Sequence, residues 1–200
     1  DKLPSGIDGL AEKINKIGMK FGLWFEPEMI SPDSDLYREH PDWAIHIDER
    51  EGVQSRNQMV LDLSRDEVCE YVINAVSDIL ANANIEYVKW DMNRQLTDMP
   101  RLGYNHEYTL GYYKIMSAIT EKFPNILFEG CSAGGGRFDA GVLAYMPQIW
   151  TSDNSDAIAR LKMQYSTSMC YPVYSISSHV TASPNHQCGR VTSLKTRADV

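Results

Sequence analysis

Two stretches of the chain put carboxylates where a strand should be ending: YVKWDMNR, residues 87–94, and QIWTSDNSD, residues 148–156. In the first, Asp91 lies two residues beyond Lys89 and two before Asn93. Side chains alternate along an extended chain, so Lys89, Asp91 and Asn93 share one face. An ammonium that close favours the charged form of the acid. A fixed, ionised carboxylate is what attack on the anomeric carbon of a glycoside requires; the plain alternative is a structural ion pair at a strand end. In the second stretch, Asp153 supplies another carboxylate in the same kind of position, the partner that a two-carboxylate hydrolysis needs as acid and base. Ile149 and Trp150 offer apolar surroundings that favour the protonated form of such an acid. The competing role is a helix cap, because Ser152, Asp153 and Asn154 all sit where a helix begins. Asp156 fits the first turn, at the positive end of the helix dipole. Spacing alone leaves both Asp153 and Asp156 open as the second carboxylate.

Other residues gather around the same kind of position. EGCSAGGGRFD, residues 129–139, is a glycine-rich turn after a strand. Consecutive glycines let a backbone approach a ligand closely or adopt positive φ. With no Lys-Ser/Thr after it, the turn does not read as a phosphate loop; it reads as a tight loop at a sugar pocket or as a plain turn with Arg137 in solvent. In GLWFEPEM, Trp24 offers an aromatic face for stacking on a sugar, or simply fills the core. Glu26 and Glu28 flank Pro27 and orient that loop. Arg56 stands just before a strand, either solvated or binding a hydroxyl. His179 and His186 have no metal-helix spacing and read as polar loop residues.

The elements that must position these residues alternate. Residues 5–18 carry Ile7, Leu10, Ala11, Ile14 and Ile17 at helical spacing, with Ser5 as cap. KFGLWFEP is then a short apolar strand closed by proline. DSDLYREH predicts a short helix, and AIHIDERE with QMVLDLS predicts a hairpin around Gly52. Ser64 and Glu67 form a capping box for a long helix whose stripe is Val68, Tyr71, Val72, Ala75, Ile79 and Leu80. IEYVKWDM is a strand. A helix follows with Tyr108, Tyr112, Ile115, Met116 and Ile119 on one side. NILFEGC, QIWTSD and YSISSHV are further strands. RFDAGVLAY forms a short helix between the first two, and a helix with Ile158, Leu161 and Tyr165 as its stripe lies between the last two. A final helix starts near Thr192.

Short apolar strands alternating with helices predict an α/β fold with parallel strands. Both an open doubly wound sheet and a (β/α)8 barrel fit that rhythm. The polar residues decide: Trp24 and Glu26, Lys89 and Asp91, Glu129 and Cys131, Asp153 and His179 all fall at C-terminal strand ends, the layout of a barrel active site. A whole barrel takes about 250 residues and eight strands. The expectation is therefore a partial catalytic barrel over residues 1–200, roughly its third to seventh strands, taken from a longer protein.

Composition narrows the class further. The chain has 200 residues, 43% hydrophobic and 23% charged, with a net charge of −8. It has no basic run for nucleic acid and no polybasic segment for a membrane surface. No stretch approaches the roughly 20 apolar residues of a membrane span. Cys69, Cys131, Cys170 and Cys188 lack zinc spacing and read as free thiols of a reducing compartment, which points to the cytoplasm. No metal or organic cofactor is implied.

Taken together, GLWFEPEMISPDSDLYR, RNQMVLDLSR, KWDMNR, EGCSAGGGRFD, IWTSDNSDAIARL and SHVTASPNHQ, in that order over about residues 3–197, resemble the α-galactosidases of glycoside hydrolase family 36. The resemblance implies a (β/α)8 barrel that hydrolyses terminal, non-reducing α-galactosyl residues of oligosaccharides with retention. It implies Asp91 as nucleophile and Asp153, rather than Asp156, as acid/base. Trp24, Arg56, Lys89, Asn93, Cys131 and Gly134 match positions that line the galactose pocket. It also implies a homo-oligomeric full-length protein. Two features depart from the family pattern: the aspartate pair of an early strand has no counterpart in these residues, and Cys188 stands where another small residue is expected. WDMN is also similar to the nucleophile string of family 31 α-glucosidases. A galactosyl-transferring barrel enzyme and a non-catalytic sugar-binding remnant complete the alternatives.

Overall fold

The computed structural model describes residues 2–200, so the reading of Asp1 as part of a helix lead-in lies outside the described residues. The chain divides into two compact units, Asp1–Leu127 and Phe128–Val200. Both are α/β in plan: parallel strands with a helix in each connection, as parallel pairing demands.

In the first unit, α1 (Gly6–Lys16) precedes β1 (Gly22–Phe25), an excursion follows, and then α3 (Asp66–Ala81) leads to β4 (Tyr87–Trp90) and α4 (Tyr104–Lys122). β1 pairs in parallel with β4, Gly22 opposite Tyr87 through Phe25 opposite Trp90. The ladder continues one step further, because the Asp91 amide donates to the Phe25 carbonyl at 2.8 Å. α3 and α4 bury Val68, Val72, Val76 and Leu80 on one side and Tyr104, Tyr108, Tyr112, Ile115, Met116 and Ile119 on the other. The α4 stripe matches its periodicity. α4 also passes so close to the chain before α3 that a Cβ on Gly111 would lie 1.8 Å from the Leu63 carbonyl oxygen, which makes glycine obligatory there. Trp90 packs inward, fully buried. Its indole nitrogen donates to Glu28 Oε1 at 2.9 Å, and the Tyr108 hydroxyl donates to Glu28 Oε2 at 2.7 Å. Glu28 is itself 0% exposed, a buried carboxylate tolerated because neutral donors satisfy it.

The excursion departs from expectation. α2 (Asp35–Glu39) forms as predicted, capped by the Ser34 hydroxyl. The proposed hairpin does not: β3 (Met59–Val60) pairs antiparallel with β2 (Met29–Ile30), not with a strand over residues 44–51. Only the start of that segment joins, through the Ile45 amide to Val60 O at 2.8 Å and the Asp62 amide to Trp43 O at 2.7 Å. The EPEM segment is too short to announce itself as a strand, so its pairing was invisible locally. The capping box is also replaced. Arg65 is the N-cap of α3 and makes no side-chain cap bond, while Ser64 Oγ donates to Asp62 Oδ1 at 2.6 Å. Arg65 instead takes Glu67 at 2.7 Å.

In the second unit, β5 (Leu127–Gly130), α5 (Ala140–Leu143), β6 (Gln148–Trp150), α6 (Ala157–Ser168), β7 (Ile176–Ser177) and α7 (Leu194–Ala198) alternate. β5 pairs in parallel with β6, and β6 with β7. The predicted α6 stripe points the wrong way. Ile158, Leu161 and Tyr165 are 39%, 51% and 67% exposed, and the inward face is held by Ala157 and Arg160. Periodicity located the helix but could not foresee an arginine on its buried side.

All four cysteines are free thiols; Cys69 and Cys131 are buried, Cys170 and Cys188 exposed. Burial pushes the Cys69 thiol up from 9.0 to about 11. Its folded state therefore holds the proton where an unfolded thiol has lost it, and stability falls as pH rises from about 9.0 to about 11. Alkylation at pH 8 read by peptide mass spectrometry should modify Cys170 and Cys188 and leave Cys69 unmodified until denaturant is added; prompt labelling of Cys69 in the folded protein would contradict this.

Candidate functional site

In the first unit the site is built on the ends of β1 and β4. Asp91 is 6% exposed. Its Oδ2 accepts from Trp24 Nε1 at 3.1 Å and from Asn93 Nδ2 at 2.6 Å, and its Oδ1 accepts from the Met92 amide at 2.8 Å. With the Asp91 amide spent on Phe25, both backbone and side chain have one geometry available. All three of these bonds are donated to Asp91. Trp24 and the Met92 amide are donors that the sequence expectation, built on Lys89 and Asn93, did not include. Trp24 is 50% exposed, so its indole is anchored at one edge and still presents a face, contrary to simple core packing. Asn93 falls on the Asp91 side as alternation predicted, and Lys89 is half-buried on β4.

Glu26, read from sequence only as orienting a loop, is the hub of a second layer. Its Oε1 accepts from Arg56 Nη1 at 3.1 Å and from the Asn93 amide at 3.1 Å. Its side chain is 6% exposed against 54% for Arg56, so the anion is fixed and the cation faces solvent. Arg56 and Asn57 both have positive φ, 56° and 58°. Ser55 and Gln58 close the two-residue turn between them with paired backbone bonds of 3.0 Å. Asparagine belongs in such a turn, but arginine pays about 1–2 kcal/mol for the left-handed region. Strain of this kind marks positions where the side chain's direction matters.

In the second unit, Cys131 follows β5 directly and is buried. The glycine turn behind it packs against the segment after β6. Gly134 has φ of 85°, and a Cβ there would lie 2.8 Å from Ser152 Cα and 3.1 Å from the Asp153 nitrogen. A Cβ on Gly135 would meet the Thr151 carbonyl oxygen at 2.8 Å. The glycines are thus the cradle of the Asp153 backbone, which no phosphate-loop reading would have suggested.

The two aspartates left open by spacing separate here. Asp156 is the N-cap of α6, accepting from the Ala159 amide at 3.1 Å, and is buried against Arg190 at 3.0 Å. Asp153 caps nothing; it is exposed, and its Oδ1 accepts from Trp150 Nε1 at 3.1 Å. Trp150, expected to offer Asp153 an apolar surface, turns its polar edge to it. The segment is held by groups that sequence reasoning passed over. Arg160 Nη1 donates to Ser152 O at 2.8 Å and Asn154 O at 3.3 Å, and Gln187 Nε2 donates to Asp153 O at 2.9 Å. Gln187 Oε1 accepts from the Ser155 amide at 2.7 Å. Burial draws the Arg160 guanidinium below its usual range, with the charge of Asp153 opposing that shift. His179 is exposed and tilted against Trp150, ring centroids 4.6 Å apart. His186 is exposed, in keeping with a loop residue.

These roles predict opposite costs. Asp156→Ala loses a cap and leaves Arg190 without its carboxylate, and should lower unfolding free energy by about 2 kcal/mol. Asp153→Ala, at an exposed position, should change it by less than about 0.5 kcal/mol. Urea titrations of the two variants check this; equal losses would show that Asp153 also carries structure.

Three comparisons bear on the assembled picture. The melibiase family model matches residues 1–200. The α-galactosidase AgaA of Geobacillus stearothermophilus is 56% identical over 207 aligned residues, covering 100% of this chain and 28% of the relative. The bifunctional α-galactosidase/sucrose kinase AgaSK of Mediterraneibacter gnavus is 53% identical over 98% of this chain and 21% of the relative. The crystal structure of AgaA, a family 36 α-galactosidase, superposes with a TM-score of 0.94 over 97% of this chain and 28% of that one. That of the α-galactosidase from Lactobacillus brevis gives 0.95 at 48% identity, over 99% and 28%. The chain thus spans less than a third of the length of these relatives, and its α/β architecture agrees with theirs. The chain belongs to the melibiase family.

Proposed function

We propose that the full-length protein is a retaining α-galactosidase acting on terminal, non-reducing α-galactosyl residues of oligosaccharides, with residues 1–200 supplying part of its (β/α)8 catalytic barrel. The observation that carries the reading is Asp91: a buried carboxylate at a strand end, held by three donors beside a half-exposed indole. A structural ion pair would have no use for that immobilisation or for the open tryptophan face. Support comes from relatives that are α-galactosidases. For AgaA, structures are known in complex with raffinose, in a variant with an aspartate changed to asparagine, and with stachyose, in one with an aspartate changed to alanine.

In the proposed mechanism Asp91 attacks the anomeric carbon while Asp153 protonates the departing glycosidic oxygen. The anomeric C–O bond to the leaving group breaks as the bond to Asp91 Oδ forms, through an oxocarbenium-like transition state. Water, giving its proton to Asp153, then cleaves the galactosyl ester, and both carboxyl groups return to their starting states. The two inversions give net retention. Fixing Asp91 beforehand removes the entropy of orienting the nucleophile. Trp24 stacks on the apolar face of the sugar, and Arg56, Lys89, Asn93, Cys131 and Gly134 line the galactose pocket. Glu26 aims Arg56, and the Asn93 amide shares that same oxygen. No step calls for a metal or organic cofactor. Homo-oligomerisation, on the resemblance, and a cytoplasmic location, on the free cysteines, belong to the same proposal.

The reading makes a kinetic and a stereochemical prediction. Asp91→Ala in the full-length protein should lower kcat on an α-galactoside by more than about 1,000-fold, since the covalent step is lost; residual activity within about tenfold of the parent sinks the assignment. Proton NMR of early turnover should show the α-anomer of galactose first, and an α-glucoside should be a poor substrate. β-Galactose as first product would indicate inversion. A preference for glucosides would support the family 31-like alternative, and binding of galactose without turnover the sugar-binding remnant.

A further inference from the structure

We propose that Arg160 is a positioning residue for Asp153, holding its backbone from both sides and steering its carboxylate through the Trp150 indole. The inference rests on the reading of Asp153 as the acid/base. It starts from an anomaly in α6. Arg160 is 1% exposed, on the face of the helix where apolar residues were expected, while Ile158, Leu161 and Tyr165 face outward. A buried cation is costly, and an apolar residue of similar size usually serves packing as well or better. Something other than packing therefore accounts for the guanidinium.

Its contacts say what. Nη1 donates to Ser152 O at 2.8 Å and to Asn154 O at 3.3 Å, the two carbonyls that flank Asp153. Nη2 donates to Ser177 O at 3.1 Å at the end of β7, and Nε to Gln164 Oε1 at 3.0 Å, one turn along α6. The same guanidinium lies over the Trp150 ring, its carbon 4.5 Å from the ring centroid. The far edge of that ring donates Nε1 to Asp153 Oδ1 at 3.1 Å. One planar group thus anchors the loop to β7, clamps the peptide units on both sides of Asp153, and fixes the plane of the indole that reaches its carboxylate. Gln187 Nε2 on Asp153 O at 2.9 Å completes the clamp. Only arginine has the fork and the flat, weakly hydrated face to do both. Lysine retains the charge but loses the stacked plane and the divergent donors.

The Trp150 indole and the clamped backbone set where the Asp153 carboxylate points, and protonation of a glycosidic oxygen succeeds only from a narrow approach. Positioning of the acid matters in proportion to how badly the leaving group needs the proton. A sugar leaving group needs it; 2,4-dinitrophenolate departs without it.

The test therefore compares kcat/KM of the full-length protein and its Arg160→Lys variant on raffinose and on 2,4-dinitrophenyl α-galactoside. Arg160→Lys should lose about 10–100-fold on raffinose and less than about threefold on the aryl galactoside. Equal losses on both substrates would mean that Arg160 is merely structural, and no loss on either would mean that it positions nothing; each overturns the proposal. If Arg160→Lys lacks a cooperative thermal transition, Trp150→Phe decides in its place, since it keeps a ring under the guanidinium and deletes the Nε1 donor. It carries the same expected split, and an equal loss on both substrates overturns the proposal. Asp153→Ala is measured alongside. If it fails to show a loss selective for raffinose, the acid/base reading itself falls; if it shows that loss and Arg160→Lys does not, the positioning role alone falls.

Discussion

The hydrogen bond from the Asp91 amide to the Phe25 carbonyl, 2.8 Å long, is the last rung of the β1–β4 ladder, and the first unit's site depends on it. It places a residue outside both strands under the control of the sheet. Because the two strands run parallel, their ends arrive together. Trp24, one residue before Phe25, is then within reach of the Asp91 carboxylate, and Glu26, one residue after, reaches the Asn93 amide. A ladder shifted by two residues would separate the indole from the acid by about 6–7 Å and leave the carboxylate with local donors only. Register is therefore the quantity on which this half of the site hangs.

The same economy recurs inside the fold, where buried charged groups hold chosen side chains and stretches of backbone in fixed directions. Glu28 takes the Trp90 indole and the Tyr108 hydroxyl, tying β4 to α4. Arg160 takes three main-chain carbonyls, and Asp156 takes the helix start. Groups of this kind cost desolvation and return directionality. Apolar contacts cannot supply it, since they are satisfied over a range of angles. Strain at Arg56 belongs with them: a left-handed arginine is retained because the turn, closed by Ser55 and Gln58, delivers its side chain to Glu26.

Much of the architecture was legible locally. The 3.6-residue stripe of α4 and the short apolar runs of β1, β4, β5 and β6 depend on neighbours a few positions away, so they are written in the sequence. The same holds for placing Asp91, Cys131 and Asp153 just beyond strand ends. The failures share a cause. The pairing of β2 with β3 joins Met29 to Val60 and Ile30 to Met59, distant in sequence, through two-residue strands too short to leave a pattern. Ser64 had a capping-box partner at the right spacing, but Asp62 and Tyr104 offered a competing network through the α3–α4 packing. The α6 stripe was assigned to the wrong side because apolar periodicity assumes that a buried face is apolar.

By itself the sequence determined the α/β alternation, the polar residues just beyond the strand ends, and membership of the melibiase family. It did so because each is a matter of local spacing or of strings kept in order. Only the tertiary structure decided which aspartate caps a helix and which is left available. It also decided that Trp24 meets Asp91 across 67 positions, and that Glu26 rather than a nearby residue directs Arg56 across 30. Those outcomes belong to the folded chain because a hydrogen bond is selected by distance in space, which sequence spacing beyond one turn or one strand does not encode.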